Sequence, residues 1–181
     1  MAYLEPRVAS VTGVDISPEM MEVARRRLPG KELILGDLTT SDLLAGRQFD
    51  IITAFRFFPN AEAQLRQDAA SALDRLLAPD GILVFNNHQN ASSTRARLAR
   101  LLRRGSSQRL MSHGEVVDLL DTIGFRIARV YAMAYLPFTE RWMPLPTCLV
   151  VPIERALADM RLPLPLAGLA QNIVYAARRS S

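Results

Sequence analysis

At 181 residues, 49% of them hydrophobic and 22% charged, the chain can bury the core of one domain and is too apolar to be disordered. Its net charge of +4 is almost wholly arginine, Lys31 being the only lysine, and the single cysteine excludes an internal disulfide and leaves too few soft ligands for a zinc site. No cationic start followed by an apolar stretch marks export, and 147–153 is too short and proline-interrupted to cross a bilayer. A cytoplasmic protein with no membrane partner and no metal is expected, with Cys148 as a small buried apolar residue.

In chain order, Val11 to Asp15 is a short apolar strand ending on an acidic residue. Ser17 and Pro18 then open a helix with Met20, Met21, Ala24 and Leu28 on one side, which Pro29-Gly30 ends. A strand over 32–35 closes on Gly36-Asp37. Phe49 to Ala54 is apolar nearly throughout, as in a parallel sheet covered on both faces. The helix over about 61–77 carries Leu65, Ala69, Ala72, Leu73 and Leu76 on one stripe. Pro79-Asp80-Gly81 is a turn by composition, followed by a strand over 81–86. Helices follow over about 93–104 and 112–123, the first broken by Gly105-Ser106-Ser107 and the second ended by Gly124 before a strand over 126–132.

Six of the eleven prolines lie between Tyr135 and Leu166, which reads as a loop insertion at about 135–166 with one helix around 153–160. A strand over 171–177 closes the chain, antiparallel at or near the sheet edge. The alternation predicts a single α/β domain over 1–181: a doubly wound, mostly parallel sheet with helices on both faces and right-handed crossovers. Arg95, Arg97, Arg100, Arg103, Arg104 and Arg109 crowd one region without interleaved aromatics. They read as a solvated helix face, so a nucleic-acid partner is not favoured.

A carboxylate at the carboxyl end of a sheet strand is placed to grip the paired hydroxyls of a nucleotide ribose, which makes Asp15 the lead residue for an adenosine-bearing cofactor. Its local alternative is to cap the next helix, for which Ser17 is better placed. The first glycine of the chain is Gly13, so no glycine-rich turn precedes this strand.

Four pieces in order, Val14-Asp15-Ile16-Ser17-Pro18-Glu19-Met20, Gly36-Asp37-Leu38, Phe49-Asp50-Ile51-Ile52 and Leu76 to Leu83, resemble the class I S-adenosylmethionine-dependent methyltransferases. The resemblance runs from about Val11 to the end. It implies S-adenosylmethionine as cofactor, with Asp15 bonding both ribose hydroxyls, Ile16 packing on adenine, and Asp37 with Leu38 bordering the adenine amino edge. For Asp37 a plain Gly-Asp turn is the alternative. The segment Phe55-Arg56-Phe57-Phe58-Pro59-Asn60 would lie beside the methionine part of the cofactor, through Phe55, and beside the substrate, through Arg56, Phe57 and Asn60. Phe57 or Phe58 would otherwise be core. The segment departs from the Asn/Asp-Pro-Pro-aromatic pattern, which disfavours methylation of DNA or protein amides.

The implied reaction is direct displacement on the sulfonium methyl by a small-molecule acceptor, and a homodimer is compatible with it. His88, just beyond the strand over 81–86, is the candidate general base, with bonding to loop backbone as the alternative. His113 reads as structural or surface. Tyr135, Phe138 and Trp142 would cover a small apolar substrate or pack the loop down.

Nothing in 1–10 can serve as the family's glycine-rich loop. A chain starting here would lack that loop and the central first strand, expected between 11–15 and 49–54; a start placed too late, a genuinely shortened chain that re-pairs or borrows a strand, and a fragment are the three accounts, the first preferred. A rival reading is a degenerate methyltransferase fold without catalysis, serving as a binding or scaffold partner. A short-chain nicotinamide reductase needs a tyrosine four residues before a lysine, and Arg27 stands there before Lys31.

Overall fold

The computed structural model describes residues 7–40, 43–102, 110–137, 145–160 and 162–180, and the chain divides between Arg47 and Gln48 into two units. In the first, β1 (Thr12–Asp15) and β2 (Glu32–Leu35) pair in parallel, from Thr12 opposite Glu32 to Asp15 opposite Leu35. The crossover between them is α1 (Pro18–Arg27). It starts where expected: Ser17 is extended, its hydroxyl accepts from the Met20 N–H at 3.2 Å, and Pro18 supplies the pre-set first turn. Met21 and Leu28 turn inward, but Met20 is 56% exposed. One residue is about 100° of helix rotation, enough to carry Met20 off the stripe that Met21 and Leu28 share. At the opposite end of the strands Arg47 forks onto Glu32, 2.8 Å to each carboxylate oxygen, and reaches the Thr12 hydroxyl. Arg47 and Thr12 pull the Glu32 pKa down to about 2.

The second unit holds a four-stranded sheet in the order β3-β4-β6-β5. Its strands are β3 (Phe49–Ala54), β4 (Leu77–Asn87), β5 (Phe125–Met133) and β6 (Asn172–Arg179). β3 and β4 are parallel, whereas β6 runs antiparallel to both β4 and β5 and lies between them, one strand in from the edge. The chain is thus α/β, with parallel crossovers in both units and an antiparallel last strand. Among the described residues β3 pairs only with β4, and Ile51 is 46% exposed. The expectation of a strand covered on both faces is corrected there: an apolar composition reports how a strand is suited to be packed, not whether its neighbours are present.

The segment Pro79-Asp80-Gly81 is not a turn. α2 (Ala63–Leu76) runs straight into β4, where Phe49 pairs with Leu77 and Ile51 with Ile82, so two steps along β3 match five along β4. The surplus residues bulge out of the ladder. A proline that cannot donate and a glycine that bends freely suit a bulge as well as a turn, which is why composition misplaces them. Arg179 closes this region, donating to the Asp74 carboxylate at 2.8 Å and to the carbonyls of Leu77, Ala78 and Asp74. A cation thereby satisfies the carbonyls left open at the end of α2.

Alternation along β4 and β6 buries one face: Leu83, Phe85 and Asn87 against Ile173, Tyr175 and Ala177. On that face the Phe58, Phe85 and Tyr175 rings follow one another at centroid separations of 5.1 and 5.2 Å. Asn86 falls on the other face of β4. α2 buries Ala69, Ala70, Ala72 and Leu73, while Leu65, one turn earlier on the expected stripe, stays 39% exposed. The cap on α3 (Thr94–Leu101) is Ser93, and α4 (His113–Thr122) opens with a reciprocal capping box between Ser112 and Glu115.

The proline-rich segment contains a longer and earlier helix than expected, α5 (Thr147–Asp159), with Pro152 inside it, and the short α6 (Leu164–Ala167). Cys148, expected buried, is exposed, because the first turn of α5 sends Val150 inward and leaves Cys148 on the solvent side. Glu154 of α5 accepts from the backbone N–H groups of Tyr135 and Leu136 at 2.9 and 2.6 Å, fastening the helix to the end of β5. Tyr135 is buried; Phe138 and Trp142, like Arg103, Arg104 and Arg109, lie outside the described residues. Among the described residues no helix is long and apolar enough to cross a membrane.

Candidate functional site

In the first unit the carboxyl ends of the two parallel strands lie side by side, with an acidic residue at the end of one and just beyond the end of the other. Asp15 is the last residue of β1, and Asp37 follows β2 by two. The Gly36 N–H donates to the Asp15 carbonyl at 3.0 Å, tying the ends together. Asp15 Oδ1 accepts from the Ser17 N–H at 2.9 Å, while Oδ2 has no hydrogen bond among the described residues. The Ser17 hydroxyl, not Asp15, caps α1. This resolves the competition between the two: the aspartate's bond to Ser17 orients its carboxylate and leaves one oxygen to accept from elsewhere.

Asp37 Oδ1 accepts from both the N–H and the hydroxyl of Thr39, at 2.8 and 2.7 Å. These bonds hold its pKa below the usual carboxylate value, so it is charged at neutral pH. The Gly-Asp turn is therefore present, and it is compatible with an acidic group at the strand end. Ile16 is 70% exposed directly after Asp15, an apolar face beside an acceptor, and Leu38 is half-buried. An oriented carboxylate with an open oxygen, a second carboxylate one strand away and an uncovered isoleucine are groups that could hold a ribose and an adenine ring.

The carboxyl end of β3 in the second unit gives a different kind of surface. Phe55 is 54% exposed, and Phe57 packs edge-on against the buried Phe58 at 5.4 Å between ring centroids. Of the two aromatic readings, core describes Phe58 and Phe57 leans on it. Between Phe55 and Phe57 stands Arg56, exposed, at φ +60. Its N–H donates to Asn86 Oδ1 at 2.6 Å, and its carbonyl accepts from Asn60 Nδ2 at 2.7 Å.

His88, two residues past Asn86, has its Nδ1 buried with no hydrogen-bond partner among the described residues. Burial first, and then the nearby Arg56 charge, hold its pKa below 6.5, so the ring is neutral and able to accept a proton. The alternative bond from His88 to loop backbone is not found among the described residues. His113 instead has a structural role, its Nδ1 sharing a hydrogen bond of 2.8 Å with the Tyr175 hydroxyl while the two rings stack.

Sequence reasoning missed three asparagines. Asn86 clamps Arg56; Asn87, fully buried, donates to the Met111 carbonyl; Asn90 donates to the carbonyls of Gly168 and Ala170 at 2.6 and 2.8 Å and so pins the loop after β4. Their signal was the polar run Asn86-Asn87-His88-Gln89-Asn90 directly after an apolar strand. No cluster of three or more metal-ligating side chains occurs among the described residues.

Residues 1–85 match the family described as "Methyltransferase domain", a little under half of the chain. Over 95 residues, 51% of the chain, it is 39% identical to the trans-aconitate 2-methyltransferase of Methylobacterium radiotolerans. The chain spans about a third of the length of that curated relative, 34%. Among solved structures, a SAM-dependent methyltransferase from Thermotoga maritima is similar at a TM-score of 0.65 and 17% identity, over 98% of this chain and 76% of that one. The magnesium protoporphyrin IX methyltransferase of Synechocystis PCC 6803, solved with bound SAH, is similar at 0.61 and 16% identity, over 98% and 68%. Residues 1–85 thus match a methyltransferase domain, and the fold of the chain is that of solved S-adenosylmethionine-dependent methyltransferases.

Proposed function

We propose that the chain binds S-adenosylmethionine and transfers its methyl group to a small-molecule acceptor by direct displacement, in a cytoplasmic setting. The observation that carries this reading is the pair of acidic residues at adjacent parallel strand ends, with Asp15 oriented by Ser17 and one oxygen left to accept. Asp15 would accept from the ribose hydroxyls, Ile16 would cover an adenine face, and Asp37 with Leu38 would border its amino edge. The bound cofactor supplies a methyl group activated on a sulfonium. Phe55 offers an exposed aromatic face suited to that cation. Arg56, Phe57 and Asn60 would position the acceptor, and the neutral ring of His88 would take a proton from an acceptor hydroxyl or amine. The relative from Methylobacterium radiotolerans is named for trans-aconitate, a small organic acid, which supports an acceptor of that size.

Calorimetric titration of the chain with S-adenosylhomocysteine tests the reading. The Asp15→Asn variant loses charge-assisted hydrogen bonds of about 1.5 to 3 kcal/mol each, so binding weakens by about tenfold or more while the thermal midpoint barely moves. Absence of binding by the unaltered chain would favour the rival reading, a methyltransferase fold serving as a non-catalytic partner.

A further inference from the structure

The residue hardest to explain by folding alone is Arg56. A side chain at φ +60 is strained, and glycine would serve the backbone better at that point. The fold nonetheless holds an arginine there with two asparagine side chains, one on its N–H and one on its carbonyl, contributed by Asn86 at the end of β4 and by Asn60. Strain that two neighbours are arranged to maintain marks a position kept for its side chain.

Among the described residues that side chain has no partner of its own. Arg47 is paired with Glu32, Arg179 with Asp74 and Arg26 with Glu22, but among the described residues the Arg56 guanidinium meets no carboxylate. Its charge reaches His88, whose ring likewise makes no hydrogen bond among the described residues. His88 stands in the turn directly after β4, two residues past Asn86, the clamp on Arg56.

We propose that Arg56, held by Asn60 and Asn86 and flanked by His88, is the anchor for a carboxylate of the acceptor, so that the substrates of this site are small organic acids. A guanidinium presents two parallel N–H groups that match the two oxygens of a carboxylate, and it balances one negative charge. A phosphate dianion would leave a second charge uncompensated beside a neutral imidazole. Calling the bound acid an acceptor rests on the methyl-transfer reading; the anion site itself lies wholly in the second unit and is tested without cofactor.

The test titrates the full chain with acetate, succinate, citrate and inorganic phosphate, with triethyl citrate as the uncharged control, by calorimetry and by the imidazole NMR signals. The two histidines are told apart with His113→Gln. At least one carboxylate is expected to bind more tightly than phosphate and to move the His88 signals, with no response to triethyl citrate. Arg56→Gly keeps both backbone clamps and relaxes the strain. It should weaken that binding by about tenfold or more while the thermal midpoint stays level or rises. Arg56→Lys, which keeps the charge but not the fork, should fall between the two.

Failure of all three acids to bind, equal binding by Arg56→Gly, tighter binding of phosphate, or silent His88 signals would each overturn the proposal. Loss of S-adenosylhomocysteine binding with carboxylate binding intact would instead strike only the donor reading.

Discussion

The two units carry the proposed site residues on supports of unequal strength. In the first, Asp15 and Asp37 sit at the ends of a two-stranded sheet backed by one helix, and among the described residues of that unit the buried apolar side chains are Met21, Leu28 and Leu44. In the second, Arg56 and His88 sit above a four-stranded sheet with a buried aromatic row. Correspondingly, the acidic residues are oriented by short-range bonds within two residues of themselves, Asp15 to Ser17 and Asp37 to Thr39, whereas Arg56 is held by an asparagine thirty positions away. A carboxylate at a strand end needs only its own turn to point outward. A strained arginine needs a finished sheet.

The largest test of this contrast is core truncation. Phe85→Ala should cost about 3 to 5 kcal/mol by chemical denaturation, whereas Val14→Ala, half-buried in the two-stranded sheet, should cost about 1. Equal losses would break the comparison. Next, Arg179→Ala removes the donor to three carbonyls and should cost about 1 to 3 kcal/mol, with faster amide exchange at the start of β4 but not in β1 or β2. Smaller again are the helix caps. Ser112→Ala and Ser17→Ala should each cost about 1 kcal/mol, the former the more because it opens a reciprocal box.

The subtlest test is acid. Burial depresses the folded-state pKa of His113, and burial with the Arg56 charge that of His88, so the stability they contribute is present above 6.5 and lost as pH falls from there through the folded values. In the first unit Glu32, held at about 2 by Arg47, contributes stability that is present above 4.5 and lost as pH falls toward 2. Amide exchange should therefore quicken first in β4 and β6 and only later in β1 and β2, and His113→Gln should shrink the first step. Simultaneous onset would show that the units do not respond separately.

What the sequence made legible was local. Ser17 and Ser112 cap their helices because each bond closes within three residues, and the place of Asp15 at the end of β1 was readable because strand, carboxylate and proline stand in one stretch. The failures are non-local. Pro79-Asp80-Gly81 has the same composition whether the next strand begins after it or already contains it, and the register against β3 decides. Cys148 and Val150 are both apolar by type; only the docking of α5, through Glu154, separates them. Arg56 was noticed as a neighbour of aromatics, but nothing in the local sequence announces its positive φ, since the residue that imposes it belongs to another strand.

The place of β6 has a consequence for how the second unit comes together. Because Asn172–Arg179 lies between β4 and β5, those two strands are never partners, and the slot between them is filled by residues made long after both. During synthesis the chain must carry β4 with an open edge through more than eighty residues, and loop closure over such separations is slow. Assembly of this sheet thus waits on its final strand, and the open edge of β4 is where an unfinished chain is most exposed to mispairing.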